Sequence, residues 1–327
     1  MDKTVNPHDK LFRKVWSDKA IATDFLQNYL PAKVRNHIDL NALKIAKDTF
    51  IEKELKEFYS DLLYTVDFQT GPGYVYLLFE HKSYADKLTP LQILEYMAQI
   101  WRLHLKQHPD TLLPPVIPLL LYHGRSKWKG RKFSDLMDEA GAVLPEYTPD
   151  FKYILLDLTQ YSDREIKGVL LCRAVLLLFK HIHAPDFEDR LGAIFAMLNE
   201  LKKSDNGFRY LEAIFRYVYS TINMSPDEII EIAMRSMASD KGGLIMTAAD
   251  RLRKEGYEQG VQQGIRQGVQ DGLLEAIDLG LSLRFEDQSQ MLMKIVSQIN
   301  DIDRLRTIKE ALKSVKDVSE LRSMIEH

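Results

Sequence analysis

A single cysteine in 327 residues leaves nothing for it to pair with. Cys172 can close no internal disulfide and build no thiolate metal cluster. Its setting, GVLLCRAVLLLF, is an apolar helical run that predicts core packing. Long apolar stretches are scarce too. Val169–Phe179 and Leu112–Tyr122 fall short of the about 20 residues a membrane span needs, and arginine or proline interrupts each. The opening MDKTVNPHDKLFRK is polar and charged, unlike a secretory leader. Positive charge is not in excess: 44 Lys and Arg against 47 Asp and Glu leave a net charge of −3. No global field draws such a chain to polyanions, so any nucleic-acid contact must rest on a local patch. Neither a serine or cysteine nucleophile motif nor a phosphate-cradling glycine loop is present. These absences predict a soluble protein of a reducing cytoplasm with no membrane partner.

What is there is ordinary globular composition, 45% hydrophobic and 28% charged, and length for more than one domain. Helical spacing of Leu11, Phe12, Val15, Trp16, Phe25, Leu26 and Leu30 predicts one helix over Asp9–Leu30, with Asp9 as N-cap and Pro31 as its stop. Leu43–Phe50 is a weak strand candidate and Asp61–Gln69 (DLLYTVDFQ) a stronger one. Thr70–Gly73 is a turn by composition. Tyr74–Lys82 follows as a strand apolar on both faces, which suits the interior of a sheet covered on both sides. Thr89-Pro-Leu-Gln92 opens a helix to about Lys106 in a capping-box arrangement, with Leu91, Leu94, Tyr96, Met97, Ile100 and Trp101 as its expected buried side. Val116–Tyr122 and Tyr153–Leu158 read as strands and Arg164–His181 as a helix. The order makes a mixed α/β layer architecture.

From Phe187 only helices are expected, over Phe187–Lys203, Phe208–Ile222 and Pro226–Met237, with Lys202–Gly207 as a joint. Then Gly256, Gly260, Gly264, Gly268 and Gly272 recur every four residues, shadowed by Tyr257, Val261, Ile265 and Val269. Each interior glycine costs a helix about 1 kcal/mol. Close helix–helix approach in a homo-oligomer would compensate; a weakly stable connecting helix is the other reading. Two amphipathic helices, Gln288–Asn300 and Ile302–Glu326, close the chain.

Glu80, His81 and Lys82 end the apolar strand GYVYLLFEHKS. Side chains alternate along a strand, so Glu80 and Lys82 share a face. A four-residue turn at Thr70–Gly73 would pair Gln69 with Tyr74 and Asp61 with Lys82, bringing Asp61, Glu80 and Lys82 together at the open end of the hairpin. Two carboxylates, with the His81 carbonyl as a third oxygen, are a donor set for Mg²⁺ or another hard cation such as Mn²⁺ or Ca²⁺. Beside Lys82 such an ion serves phosphodiester hydrolysis. An ordinary surface ion pair accounts for the same spacing, but the apolar run before it argues for a strand end opening on a crevice.

Asp, a spacer of about twenty residues, then Glu-x-Lys on an apolar strand before a helix resembles the PD-(D/E)XK nuclease motif. HDKLFRKVWSD at His8, FLQNYLP at Phe25, SDLLYTV at Ser60, YLLFEHKS at Tyr76, QILEYMAQIW at Gln92 and LPPVIPLLLYHG at Leu113 resemble, in order, the recombination-promoting nuclease (Rpn) family. The similarity covers roughly residues 7–220. It implies a restriction-endonuclease-like mixed sheet flanked by helices, followed by an all-helical C-terminal region. It also implies a metal-dependent DNA endonuclease linked to recombination, mobile elements or defence. Asp61, Glu80 and Lys82 match the catalytic motif, although Ser60 stands where the motif has proline. Gln92 sits where related nucleases place a polar helix residue near the metal. The expected domains are a nuclease domain over 1–205, a helical extension over 206–255 and a glycine-periodic helical unit over 256–327.

HGRSKWKGRK carries Arg125, Lys127, Lys129, Arg131 and Lys132, the best candidate for phosphate contacts, with Trp128 available for stacking. A solvated loop is the plainer reading. His104, His108, His181 and His183 show no spacing that converges with an acidic partner, and His181-x-His183 reads as incidental or as matched to a helix dipole. A non-catalytic relative that binds DNA or protein and assembles through its tail, and an RNA-cleaving toxin-like nuclease, remain alternatives.

Overall fold

The structure, a computed structural model, describes residues 6–46, 62–69, 71–80, 86–139, 143–200, 205–222, 224–315 and 317–326. Pro7 lacks an N–H and has its φ preset, so it starts a helix well, and the cap then falls on the residue before it. Helix α1 is Pro7–Trp16, with Asn6 Oδ1 accepting from the His8 amide at 3.0 Å. Asp9 is therefore not the cap; it is buried in the first turn. The single helix expected to Leu30 is two helices, because Asp18 caps a new one, α2 over Lys19–Tyr29, by accepting from the Ala20 and Ile21 amides. A short helix α3, Ala32–Arg35, leads into strand β1, Ile38–Ile45.

Strands β2 (Leu62–Phe68) and β3 (Gly71–Glu80) form an antiparallel hairpin, but not in the expected register. Phe68 pairs with Gly71, where a four-residue turn required Val75, so the turn is tighter and β3 starts three residues sooner than predicted. Gly71 makes this possible at φ 137°, a conformation that favours glycine. Pro72 is tolerated because parallel pairing with the next strand begins only at Tyr74. Helix α4, Thr89–Gln107, crosses from β3 to β4, Val116–Tyr122, and β5, Ile154–Asp157, adds a second parallel pair. The sheet order is β1-β2-β3-β4-β5, with β3 in the middle and joining the antiparallel to the parallel half.

Period-two alternation divides β3 between two cores. Val75 and Leu77 join Tyr64, Leu119, Leu121 and Leu156 in the larger core, which α1, α2 and the later helices cover. Tyr76 and Leu78 face the other way with Leu63, Leu120 and Tyr122, under Ile93, Tyr96, Met97 and Ile100 of α4. At about 1.5–3 kcal/mol for each fully buried large apolar side chain, this two-sided burial holds β3 firmly, as it does β4. The buried stripe of α4 differs from expectation: Leu91 is exposed, while Leu103 and His104 are buried. Its cap differs as well. Leu88 takes that place without a side-chain bond, and the Thr89 hydroxyl instead donates to the Asp86 carbonyl at 3.0 Å.

Helix α5, Leu170–His181, starts six residues later than predicted because Gly168 holds φ 124° and Val169 stays extended. Cys172 is fully buried in it, and burial pushes its thiol far above the ordinary range. Helices α6 (Phe187–Met197), α7 (Asp205–Thr221) and α8 (Pro226–Ser236) contribute Phe195, Phe215 and Ile229 to the same core. One compact unit accordingly runs to Asp250, so the helices expected as an extension from residue 206 share the core of the sheet.

The second unit begins at Arg251. Helix α9 spans Gly242–Arg284, and α10 (Ser289–Val296), α11 (Ile302–Ala311) and α12 (Val318–Glu326) follow. Leu273, Ile277 and Leu281, spaced one turn apart, meet Leu292, Val296, Leu305 and Leu321 in a separate core. Among the described residues, no helix is long and apolar enough to cross a membrane.

Candidate functional site at the carboxyl ends of the parallel strands

Parallel pairing lines up the last residues of three strands: Glu80 is in register with Tyr122, and Tyr122 with Asp157. Loops that leave such ends diverge and open a crevice. The Glu80 backbone ends β3 there. Its side chain lies outside the described residues, as do Asp61, His81 and Lys82. The Asp61–Lys82 pairing was expected from a register that the hairpin does not adopt. Displacement by four positions is even, so the alternation of faces along β3 is unchanged.

Gln92 belongs to the α4 face that covers Tyr76 and Leu78. Its Nε2 donates to the Tyr96 hydroxyl at 3.2 Å, and the Tyr96 ring lies 5.2 Å from that of Tyr76. The amide thus spans one helical turn toward Tyr96 and takes no part in a capping box. Among the described residues, no group of three or more His, Cys, Asp or Glu is placed to hold a metal ion. Asp157, the carboxylate at the end of β5, has other work. At 2% exposure it accepts from the Trp128 amide (2.8 Å), the Thr159 amide (3.0 Å), the Thr159 hydroxyl (2.8 Å) and Gln160 Nε2 (2.8 Å).

Those bonds fix the basic loop. Gln160 Nε2 also reaches the Trp128 carbonyl, and the Arg131 amide donates to the Tyr153 hydroxyl at 2.9 Å. Arg125, Lys127, Lys129, Arg131 and Lys132 are all exposed around this anchored stretch. Trp128 is not: at 5% exposure it packs edge-on against Tyr122, with ring centroids 4.9 Å apart, so it is unavailable for base stacking. An aromatic following an apolar strand found a place in the core instead. Gly124 lets the loop leave β4 closely, since a Cβ there would sit 2.0 Å from the Tyr122 hydroxyl.

The histidines come together as their spacing did not reveal. His123, directly after β4 and 1% exposed, has His8 of α1 at 4.9 Å between ring centroids and His183, just beyond α5, at 6.3 Å. His8 Nδ1 lies 2.9 Å from the hydroxyl of Tyr217, whose burial keeps it protonated. Burial and then the charge of Arg125 hold His183 below the ordinary imidazole range. His181 meets an acid after all: its Nε2 is 2.9 Å from Asp163, which Lys180 and Arg190 also engage. The signal for His8 and His123 was thin. Each abuts a firmly predicted element, one helix start and one strand end, but only the fold joins the two.

Comparison with known proteins settles the family. A family model described as "putative transposase, YhgA-like" matches residues 6–209, more than half the chain. The chain belongs to this family. Among its relatives, the recombination-promoting nuclease RpnA of Escherichia coli K12 is 32% identical over 252 residues, covering 76% of this chain and 84% of RpnA. RpnE of the same strain, named an inactive recombination-promoting nuclease-like protein, is 31% identical over 261 residues, covering 79% and 85%. RpnD of E. coli O157:H7 is 26% identical over 252 residues, covering 77% and 96%. No solved structure matches the chain. The matched segment of this Rpn-type chain holds the five strands found among the described residues.

Proposed function

We propose that the protein is a metal-dependent DNA endonuclease acting in recombination, with Asp61, Glu80 and Lys82 as its catalytic centre. The observation that carries this reading is the position of Glu80. It ends the central strand, beside the ends of β4 and β5, in a chain whose relatives are named recombination-promoting nucleases. Gln92 stands on the α4 face that covers Tyr76 and Leu78, in the same strand whose backbone ends at Glu80.

Asp61, Glu80 and the His81 carbonyl make a hard-oxygen donor set suited to Mg²⁺ or Mn²⁺, while Asp157 already has four donors of its own. Such a cation, when bound, supplies Lewis-acid stabilisation of the phosphate and lowers the pKa of a water. Lys82 supplies an ammonium against the negative charge that grows on the phosphate oxygens. Gln92, steered by Tyr96, presents its amide to orient the attacking water. The exposed cations Arg125, Lys127, Lys129, Arg131 and Lys132 hold flanking phosphates, positioned by the Asp157 anchor. Self-association runs along the glycine-marked face of α9.

RpnE, a relative named inactive, gives weight to a second reading, in which the chain binds DNA without cutting it. Supercoiled plasmid incubated with wild-type and Asp61→Ala protein in Mg²⁺, Mn²⁺, Ca²⁺ or chelator separates the two. Nicking that needs Mg²⁺ or Mn²⁺ and vanishes in the variant is expected. Equal nicking by both proteins, or none by either, would overturn the catalytic reading. Structured RNA run in parallel tests the choice of substrate.

A further inference from the structure

The chain is acidic overall, yet one groove on it is strongly basic. Helices α1 and α7 pack side by side, and two joined cavities of about 330 and 510 Å³ lie along their seam. Lys10, Arg13 and Lys14 reach it from α1, whose buried Leu11 also lines it. Arg209 and Arg216 reach it from α7, seven residues and so two turns apart on one face. The acids in the same walls have other duties. Glu212 pairs with Arg216 at 3.0 Å, and Asp18 caps α2 while accepting from the Tyr210 hydroxyl at 2.9 Å. Among the described residues that line the groove, five cations thus stand against two carboxylates, in a chain whose net charge is −3.

A short run of packed side chains links this groove to the strand ends. Glu80 is in register with Tyr122, and the next residue, His123, packs against His8. His8 bonds Tyr217, and Tyr217 lines the groove. We infer that the α1–α7 groove binds the phosphodiester backbone of a nucleic acid, at a distance along the strand from the phosphate served at the end of β3. The orientation rests on the nuclease reading above; the charge does not. Lys10 and Lys14 stand one turn apart, about 6 Å, a spacing that meets phosphates along one strand in succession.

Binding of a labelled duplex of about 25 base pairs to full-length Asp61→Ala protein, followed by anisotropy between about 50 and 200 mM salt, tests this. Lys10→Glu/Lys14→Glu/Arg209→Glu, added to that background, should weaken binding at least tenfold. It should also flatten the log–log salt slope by about 3, near 0.9 for each phosphate no longer neutralised. The neutral triple Lys10→Gln/Lys14→Gln/Arg209→Gln should fall between, with an unchanged thermal melt. Lys33→Glu/Lys44→Glu/Lys167→Glu makes the same number of reversals at exposed sites elsewhere and should keep most of the affinity. Groove and control variants that lose affinity equally would overturn the inference, as would poly-glutamate competing as well as DNA. DNA and RNA duplexes tested side by side name the preferred backbone, and loss at the groove with either one sustains it. Plasmid nicking by wild-type protein is scored separately, so a silent active site and an idle groove give different results.

Discussion

Asp157 stays in the fold with almost no exposure because donors from two segments converge on its two oxygens. Asp157→Ala leaves several buried donors without an acceptor, at about 1–3 kcal/mol each before relaxation. A loss of roughly 3 kcal/mol in urea denaturation is expected, with weaker DNA binding as the basic loop loosens. A stability unchanged by the substitution would remove Asp157 from its place as the anchor. Asp163 works differently. Burial alone would raise its carboxyl, but hydrogen bonds from Lys180 and His181 outweigh this and hold it below the ordinary value. Burial, joined by the positive charges of Lys180 and Arg190, lowers His181 and outweighs the pull of Asp163, which raises it. His181 thus acts as a neutral donor. A group whose folded pKa is depressed stabilises the fold above its unfolded value and loses that contribution as pH falls through the folded one. For His181 the loss begins near pH 6.5; for Asp163 it comes below the ordinary carboxylate range. Urea midpoints of wild-type protein should therefore decline between about pH 7 and 5 more steeply than those of His181→Asn. Parallel curves would contradict the neutral assignment.

Helix α9 carries a row of exposed large side chains beside its glycines. Tyr257 is 74% and Ile265 63% exposed, and a Cβ at Gly260, Gly264 or Gly268 would meet nothing within 4 Å in a single chain. Leucine at those three positions should raise intrinsic helix propensity by about 1 kcal/mol per site while blocking close approach of a second helix. Light scattering of Gly260→Leu/Gly264→Leu/Gly268→Leu is expected to show a smaller assembly than wild type, and an unchanged mass would dissociate the stripe from assembly. This helix was legible from its four-residue period, β3 and β4 from unbroken apolar runs and the helical tail from amphipathic spacing, because a strong local pattern needs no distant partner. The errors fell where a distant partner decides. Hairpin register depended on whether Gly71 and Pro72 joined the strand, which only pairing with β2 determines. The buried stripe of α4 slid toward Leu103 and His104 because the sheet beneath it chose the face; His104 there meets the Tyr74 hydroxyl at 3.0 Å. Trp128 was misread for the same reason, its partner Tyr122 lying on the strand before the loop. At the candidate site, family likeness marked Glu80 and its neighbours, whereas the convergence of His8, His123 and His183 from three elements left no mark on the linear chain.

The described residues form two units whose hydrophobic cores share no residue across the boundary at Asp250 and Arg251: separate clusters on the two faces of the sheet in the first, and one cluster built from α9 to α12 in the second. Residues that share a core unfold together, and those that do not are free to unfold apart. Calorimetry should then resolve two transitions, each answering to its own core. Leu176→Ala in α5 and Leu292→Ala in α10, both fully buried, each remove about 2–5 kcal/mol of packing. Leu176→Ala should lower only the transition of the first unit and Leu292→Ala only that of the second. The family match lies wholly within the first unit. Plasmid nicking should therefore be lost with the first transition in Leu176→Ala, and survive at temperatures where the second unit of Leu292→Ala has already melted. A single transition that both substitutions lower alike would mean the two cores fold as one, and nicking that tracked the second would move the working part of the molecule into the helical tail.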